Sequence, residues 1–110
     1  MNARKAGEAY CERVGAGDAD ALMALFADDA VMVQPAREFH GADEIRGFYE
    51  TNVLPFGVTL HVTSWVHDEP VCVFEFEARA AGSATGSHAV DHVTVGADGR
   101  ITRLAVYYRR

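Results

Sequence analysis

The feature that most limits what this chain can fold into is a change of hydrophobic period near Pro55. Before it, apolar residues recur at intervals of three and four. After it, residues 58–66, 71–79, 87–96 and 100–108 are rich in Val, Phe, Thr and Tyr and follow the two-residue alternation of strands. The joints between these runs read as turns: His67-Asp68-Glu69-Pro70, the flexible stretch from Ala81 to Gly86, and Asp98-Gly99. Four successive strands joined in this way predict an antiparallel meander with one face that must be covered.

The first half supplies the cover. Residues 3–14 read as an amphipathic helix whose apolar stripe holds Ala6, Ala9, Tyr10 and Val14, with Gly15 and Gly17 stopping it. Asp18 is an N-cap for a second helix, in which Leu22, Leu25 and Phe26 form the apolar face and Asp28-Asp29 break the pattern. Residues 30–35 predict a strand closed by Pro35, with Ala30, Met32 and Gln34 on one face. A third helix follows Gly41 and turns Ile45, Phe48 and Tyr49 inward. No linker or repeat interrupts residues 1–110, so the expectation is one α+β domain: three N-terminal helices packed in a curved, mostly antiparallel sheet whose curl encloses a pocket.

Charge and residue usage narrow the function. Ten Lys and Arg against 16 Asp and Glu give a net charge of −6, the wrong sign for a nucleic-acid footprint, and only Arg109-Arg110 forms a basic pair. No apolar run approaches the roughly 20 residues of a spanning helix, and Met1 to Lys5 lack the apolar core of a signal peptide, so a cytoplasmic protein with no membrane partner is expected. Cys11 and Cys72 have no metal-like spacing and read as buried free thiols. His61, His88 and His92 do not converge as ligands, and strand parity sets the last two opposite Asp91, so no metal or other cofactor is implied. Glu75 and Glu77 alternate with Phe74 and Phe76, which predicts phenylalanines inward and glutamates on a solvated face.

Four stretches carry a family resemblance: YCERVGAGD from Tyr10 to Asp18, ALFADDAVMVQP at 24–35, IRGFY at 45–49 and VDHVTV at 90–95. With the order helix, helix, strand, helix, four strands, they resemble bacterial ketosteroid isomerase within the nuclear-transport-factor-2-like (NTF2-like) superfamily, across nearly the whole chain. That resemblance implies a cone-shaped fold and an oxyanion hole built from Tyr10 and a protonated Asp91, with Tyr49 matching the family tyrosine that hydrogen-bonds the first. It also implies a homodimer formed through the outer face of the sheet, where Val90, Thr94 and Val106 are candidates. The chain departs from the family at the proton-transfer base, where Gln34 stands before Pro35 in place of an aspartate.

The residues themselves fit that chemistry in part. Asp91 lies mid-strand beside Ala89, Val90 and Val93, where poor solvation favours the protonated form, and a carboxylic acid and a phenol aimed at one carbonyl oxygen stabilise an enolate. Gln34 can bind a ligand but cannot carry a proton. Glu38 and His40, in the loop 36–40, are the nearest substitute bases, although both also read as ordinary solvated loop residues. Phe26, Met32, Phe48, Phe56, Trp65, Phe74, Val93 and Tyr108 are candidate pocket lining or core. The expected ligand is a small, flat, steroid-like ketone. The alternatives are a ligand-binding or accessory domain without turnover, or a cyclase or hydrolase of the same fold, for which no Arg/Asp pair placed to activate water is evident.

Overall fold

The computed structural model describes residues 2–109; Met1 and Arg110, and with the latter half of the terminal basic pair, lie outside them. Helix α1 spans Ala3–Ala16 and starts at Asn2, whose side chain accepts a hydrogen bond from the Lys5 backbone N–H at 2.8 Å. Gly15 stays within the helix, and Gly17 alone closes it. Ala3, Ala6, Gly7, Tyr10 and Val14 are the buried stripe, and the helix lies over the strands Thr59–Asp68, Val71–Arg79 and Ser87–Val95. The helix can come this close because residue 7 has no side chain. A Cβ there would sit 3.2 to 3.3 Å from Trp65, Cys72 and Phe74.

Helix α2 is a single turn, Ala19–Met23, capped by the Asp18 carboxylate on the Ala21 N–H. Phe26 does not belong to it. Strand β1 runs Phe26–Val33, because Leu25 and Phe26 reach the neighbouring strand first: Ile101 N–H donates to the Leu25 carbonyl at 2.7 Å and Phe26 pairs with Ile101. Asp28 and Asp29, expected to break a helix, instead occupy an exposed irregularity where the β1 register shifts between Phe26 and Val31. Ala30 and Met32 face the core as the alternation predicts. The loop 36–40 also needs correction. Gln34 N–H donates to the Arg37 carbonyl, the chain reverses, and Glu38–His40 return as a short strand β2 antiparallel to β1.

Helix α3, Ala42–Asn52, buries Ile45 and Tyr49 and leads into a 3₁₀ turn at Leu54–Phe56. The four runs read from the sequence are β3 Thr59–Asp68, β4 Val71–Arg79, β5 Ser87–Val95 and β6 Ile101–Tyr108. His67 and Asp68 extend β3, which shortens the expected turn to Glu69-Pro70. The single sheet has the order β2-β1-β6-β5-β4-β3, antiparallel throughout except where β1 runs parallel to β6. This is the cone-shaped α+β architecture expected, a six-stranded mixed sheet curved around three helices.

The inner face carries Cys72, Phe74 and Phe76 from β4, Ala89, Asp91, Val93 and Val95 from β5, and Leu104 and Val106 from β6. Each large apolar side chain buried there contributes roughly 1.5–3 kcal/mol. Val106 was expected on the outer face; it pairs with Asp91 and therefore shares its inward direction. Val90 and Thr94 do point outward, beside the exposed Tyr107. Glu75 is exposed as predicted, whereas Glu77 is half-buried between Arg79 and His88. Cys72 is buried, and Cys11 is half-buried with its thiol pushed up to about 12, mainly by desolvation.

Candidate functional site

The cone is hollow toward one end, with a cavity of about 400 Å³. Three elements deliver its buried polar groups: α1 brings Tyr10, α3 brings Tyr49, and β5 brings Asp91. Tyr10 follows from the buried 3–4 spacing of α1, and Tyr49 lies one helical turn beyond the buried Ile45. Asp91 is forced inward by parity, since Ala89 and Val93 on either side of it along β5 are core residues.

Tyr10 and Tyr49 share a hydrogen bond of 2.6 Å between their hydroxyls. When Tyr49 donates, the Tyr10 proton is left for a group in the cavity. Both phenols are held well above their ordinary pKa, first by burial and then by neighbouring phenol or carboxyl groups, so both remain protonated donors. Asp91 is 1% exposed, the one buried ionisable side chain among the described residues other than the tyrosines and cysteines. Burial pushes its carboxyl up to about 8. Its Oδ1 finds no hydrogen-bond partner among the described residues, a costly arrangement for an inward-facing carboxyl group. At neutral pH the group is therefore mostly a carboxylic acid with hydrogen-bonding capacity directed at the cavity.

Gln34 also lines the cavity, half-buried, with its amide Nε2 3.7 Å from the Met32 sulfur. Phe48, Phe56 and Tyr108 line it as predicted. Phe26, Met32, Phe74 and Val93 do not; they are fully packed core around α1 and the closed part of the sheet. Trp65 stacks on Phe74 with ring centroids 4.8 Å apart and lies under the Arg4 guanidinium, also away from the cavity. Glu38 and His40 pair with each other at 3.3 Å on β2 and contribute nothing to the lining. The walls that the sequence reading missed are Phe76, Ala78 and Val106, and a mouth formed by Asn52, Ser83, Thr85 and Ser87. Strand parity was the available signal, since Ser87, Ala89 and Asp91 share one face of β5, opposite Ala78, Phe76 and Phe74 of β4.

Among the described residues no three His, Cys, Asp or Glu side chains are grouped to hold a metal ion, and no helix is long and apolar enough to cross a membrane. A curved sheet closed by helices around a cavity with buried hydroxyl and carboxyl groups is the NTF2-like scaffold. The particular family is the SnoaL-like domain family: its profile matches residues 8–104, and the chain belongs to it. Among solved structures, a protein from Kribbella flavida DSM 17836 is 28% identical, with 96% of this chain and 85% of that chain covered and a TM-score of 0.84. A candidate ketosteroid isomerase from the same organism is 18% identical over 98% of this chain and 78% of that one, with a TM-score of 0.85. The epoxide hydrolase/cyclase-like enzyme SalBIII, of pyran ring formation in salinomycin, is 19% identical over 96% and 89%, also with a TM-score of 0.85. At such identities the last two likenesses are likenesses of fold.

Proposed function

We propose that the cavity binds a flat, hydrophobic, steroid-like ketone and stabilises its enolate through Tyr10 and Asp91, in the manner of a ketosteroid isomerase. The observation that carries this reading is Asp91: a buried, mostly protonated carboxyl group with an unpartnered oxygen, in a cavity that also receives the Tyr10–Tyr49 hydroxyl pair. Two neutral donors facing one oxygen attract the charge that develops there without themselves bringing a charge into the ground state. Gln34 occupies the wall position from which the resemblance would have a base act, and its amide makes proton transfer the weak step.

Titration with a fluorescent phenolic steroid, whose phenolate mimics the enolate, tests the donors independently of a base. Tight binding that weakens at least tenfold in Asp91→Asn supports the reading; binding indifferent to the substitution refutes it. A second reading, ligand binding without turnover, is favoured by Gln34 itself. Detectable isomerisation that falls in Tyr10→Phe separates the enzyme from the binder. The route to hydrolase or cyclase chemistry through Glu38 or His40 loses its geometric basis, because neither residue lines the cavity. The proposed homodimer places Val90, Thr94, Tyr107 and Val66 on its interface, and sedimentation showing only monomer at high concentration would remove it.

A further inference from the structure

Three phenols line the cavity. Tyr10 and Tyr49 are bonded to each other, while the Tyr108 hydroxyl has no hydrogen-bond partner among the described residues. Tyr108 closes β6 and pairs with Ala89, so strand parity turns its ring to the inner face, diagonal to Asp91, which pairs with Val106. Such diagonal neighbours stand roughly 7–8 Å apart, within reach of an aromatic side chain. The electrostatics agree: the Tyr108 phenol is pushed up first by burial and then by Asp91, and Tyr108 in turn adds to the rise at Tyr49. Yet Tyr108 is 51% exposed, whereas Tyr10, Tyr49 and Phe76 on the same walls are 5% exposed or less. There is room for its ring on two sides. Inward lies the cavity; outward, Tyr108 borders a second hollow of about 580 Å³ that Val33, Gln34 and Pro35 also line. The backbone between the two is fixed, because the Arg109 N–H donates to the His88 carbonyl at 2.9 Å, so the ring is the part that can turn.

We infer that Tyr108 is a gate that competes with the ligand: turned inward, its hydroxyl oxygen accepts a hydrogen bond from the Asp91 carboxyl group in the place of the ligand oxygen, and it turns outward toward Gln34 and Pro35 when a ligand enters. This rests on the reading of Asp91 as an inner donor and adds how that donor is held in the empty cavity. The inward position answers two unfavourable features of the outward one, a buried carboxyl oxygen without a partner and a half-exposed aromatic ring. A ligand must displace the phenol, so its apparent affinity is the intrinsic one reduced by the fraction of molecules in which the gate stands open. Tyr108 is then a regulatory residue of the site and takes no part in the chemistry at the carbonyl.

The test is Tyr108→Phe in the full chain, which keeps the ring and removes the competing oxygen; circular dichroism confirms that the variant is folded. Two measurements are made. In the ligand-free protein, infrared spectroscopy follows the C=O stretch of the Asp91 carboxyl group, assigned by its loss in Asp91→Asn; the band is expected to move to higher wavenumber in Tyr108→Phe as a hydrogen bond is lost. In stopped-flow titration, a fluorescent phenolic steroid is expected to bind Tyr108→Phe roughly two- to tenfold more tightly than the unaltered protein, the worth of one competing hydrogen bond, with the gain in the association rate. The sign is opposite to that expected for Tyr10→Phe. An unmoved band means that the ring does not reach Asp91, and a moved band with unchanged or weakened affinity means that the contact does not compete; either result overturns the inference and leaves the inner donors intact. A steroid that binds none of these proteins, or binds Asp91→Asn as well as the unaltered chain, refutes the donor reading instead and takes this inference with it.

Discussion

The two ends of the inner sheet face use the same strands to opposite effect. At one end Phe74 stacks against Trp65, Cys72 fills the space beside them, and α1 approaches so closely that a Cβ at Gly7 would press on all three. At the other, Ala78 holds a position that a large side chain could fill, and about 400 Å³ stays open between Phe76, Val106 and the hydroxyls of Tyr10 and Tyr49. The distance between solid and hollow is two residues along β4, from Phe74 to Phe76. The difference teaches that the pocket of this chain is written in small residues and a buried carboxyl, because aromatic side chains occur in both ends.

If the hollow end is a reaction site short of a base, supplying one there should have the largest effect. Gln34→Asp is expected to raise conversion of an unconjugated to a conjugated steroid ketone by a factor of roughly 10²–10⁴, followed as the growth of enone absorbance. No gain would mean that the wall at residue 34 is not where a proton is moved. The electrostatics of the hollow end give the next effect. A carboxyl held near 8 in the fold and near 3.9 in the unfolded chain binds its proton more tightly when folded. Between about pH 4 and 8 folding therefore takes up a proton, and this contribution to stability declines as pH rises, by an amount on the order of a few kcal/mol across the window. Asp91→Asn should remove that decline, so that denaturation midpoints of the two proteins diverge in favour of the variant as pH approaches 8. Parallel curves would show Asp91 to be ionised and solvated.

Filling each end separately tests the comparison directly. Gly7→Val forces methyl groups against Trp65, Cys72 and Phe74 and is expected to cost about 1–3 kcal/mol in urea denaturation. Ala78→Val places two added methyl groups where the cavity is open; it should change stability by less than about 0.5 kcal/mol and weaken steroid binding. Equal losses of stability at the two positions would show that the hollow end closes in solution.

How much of this was legible beforehand follows from the same contrast. Period two after Pro55 was enough to place four strands, because each strand buries alternate residues regardless of what they pack on. Tyr10, Tyr49 and Asp91 were legible because helical spacing and strand parity each force one direction. The eight candidate lining residues divided, three on the cavity and five off it, since the sequence does not say how far along the cone α1 descends, and that depth decides which aromatics are core. The α2–β1 boundary was misplaced for a related reason. Leu25 and Phe26 fit a helical stripe, and only the parallel pairing with Ile101, 75 residues later, draws Phe26 into the sheet. Local pattern carries no information about a partner that distant.

The smallest expected effect concerns the hydroxyl pair, and it separates a role in packing from a role in binding. Tyr49→Phe keeps the ring, which packs edge-on against Tyr10 at 6.1 Å and against Phe48 at 5.3 Å, and removes only the oxygen 2.6 Å from the Tyr10 hydroxyl. The loss of one buried hydrogen bond should cost about 1 kcal/mol of stability. Without that partner the Tyr10 hydroxyl loses the group that orients it, so affinity for a phenolic steroid should fall several-fold even though Tyr49 itself need not touch the ligand. Tyr10→Phe should cost a similar amount of stability, since it breaks the same bond, yet weaken binding more, because it deletes the donor rather than its orienting partner. If the two variants weaken binding equally, both hydroxyls face the ligand; if neither weakens it, the pair is a structural contact of the packed end and Asp91 acts alone.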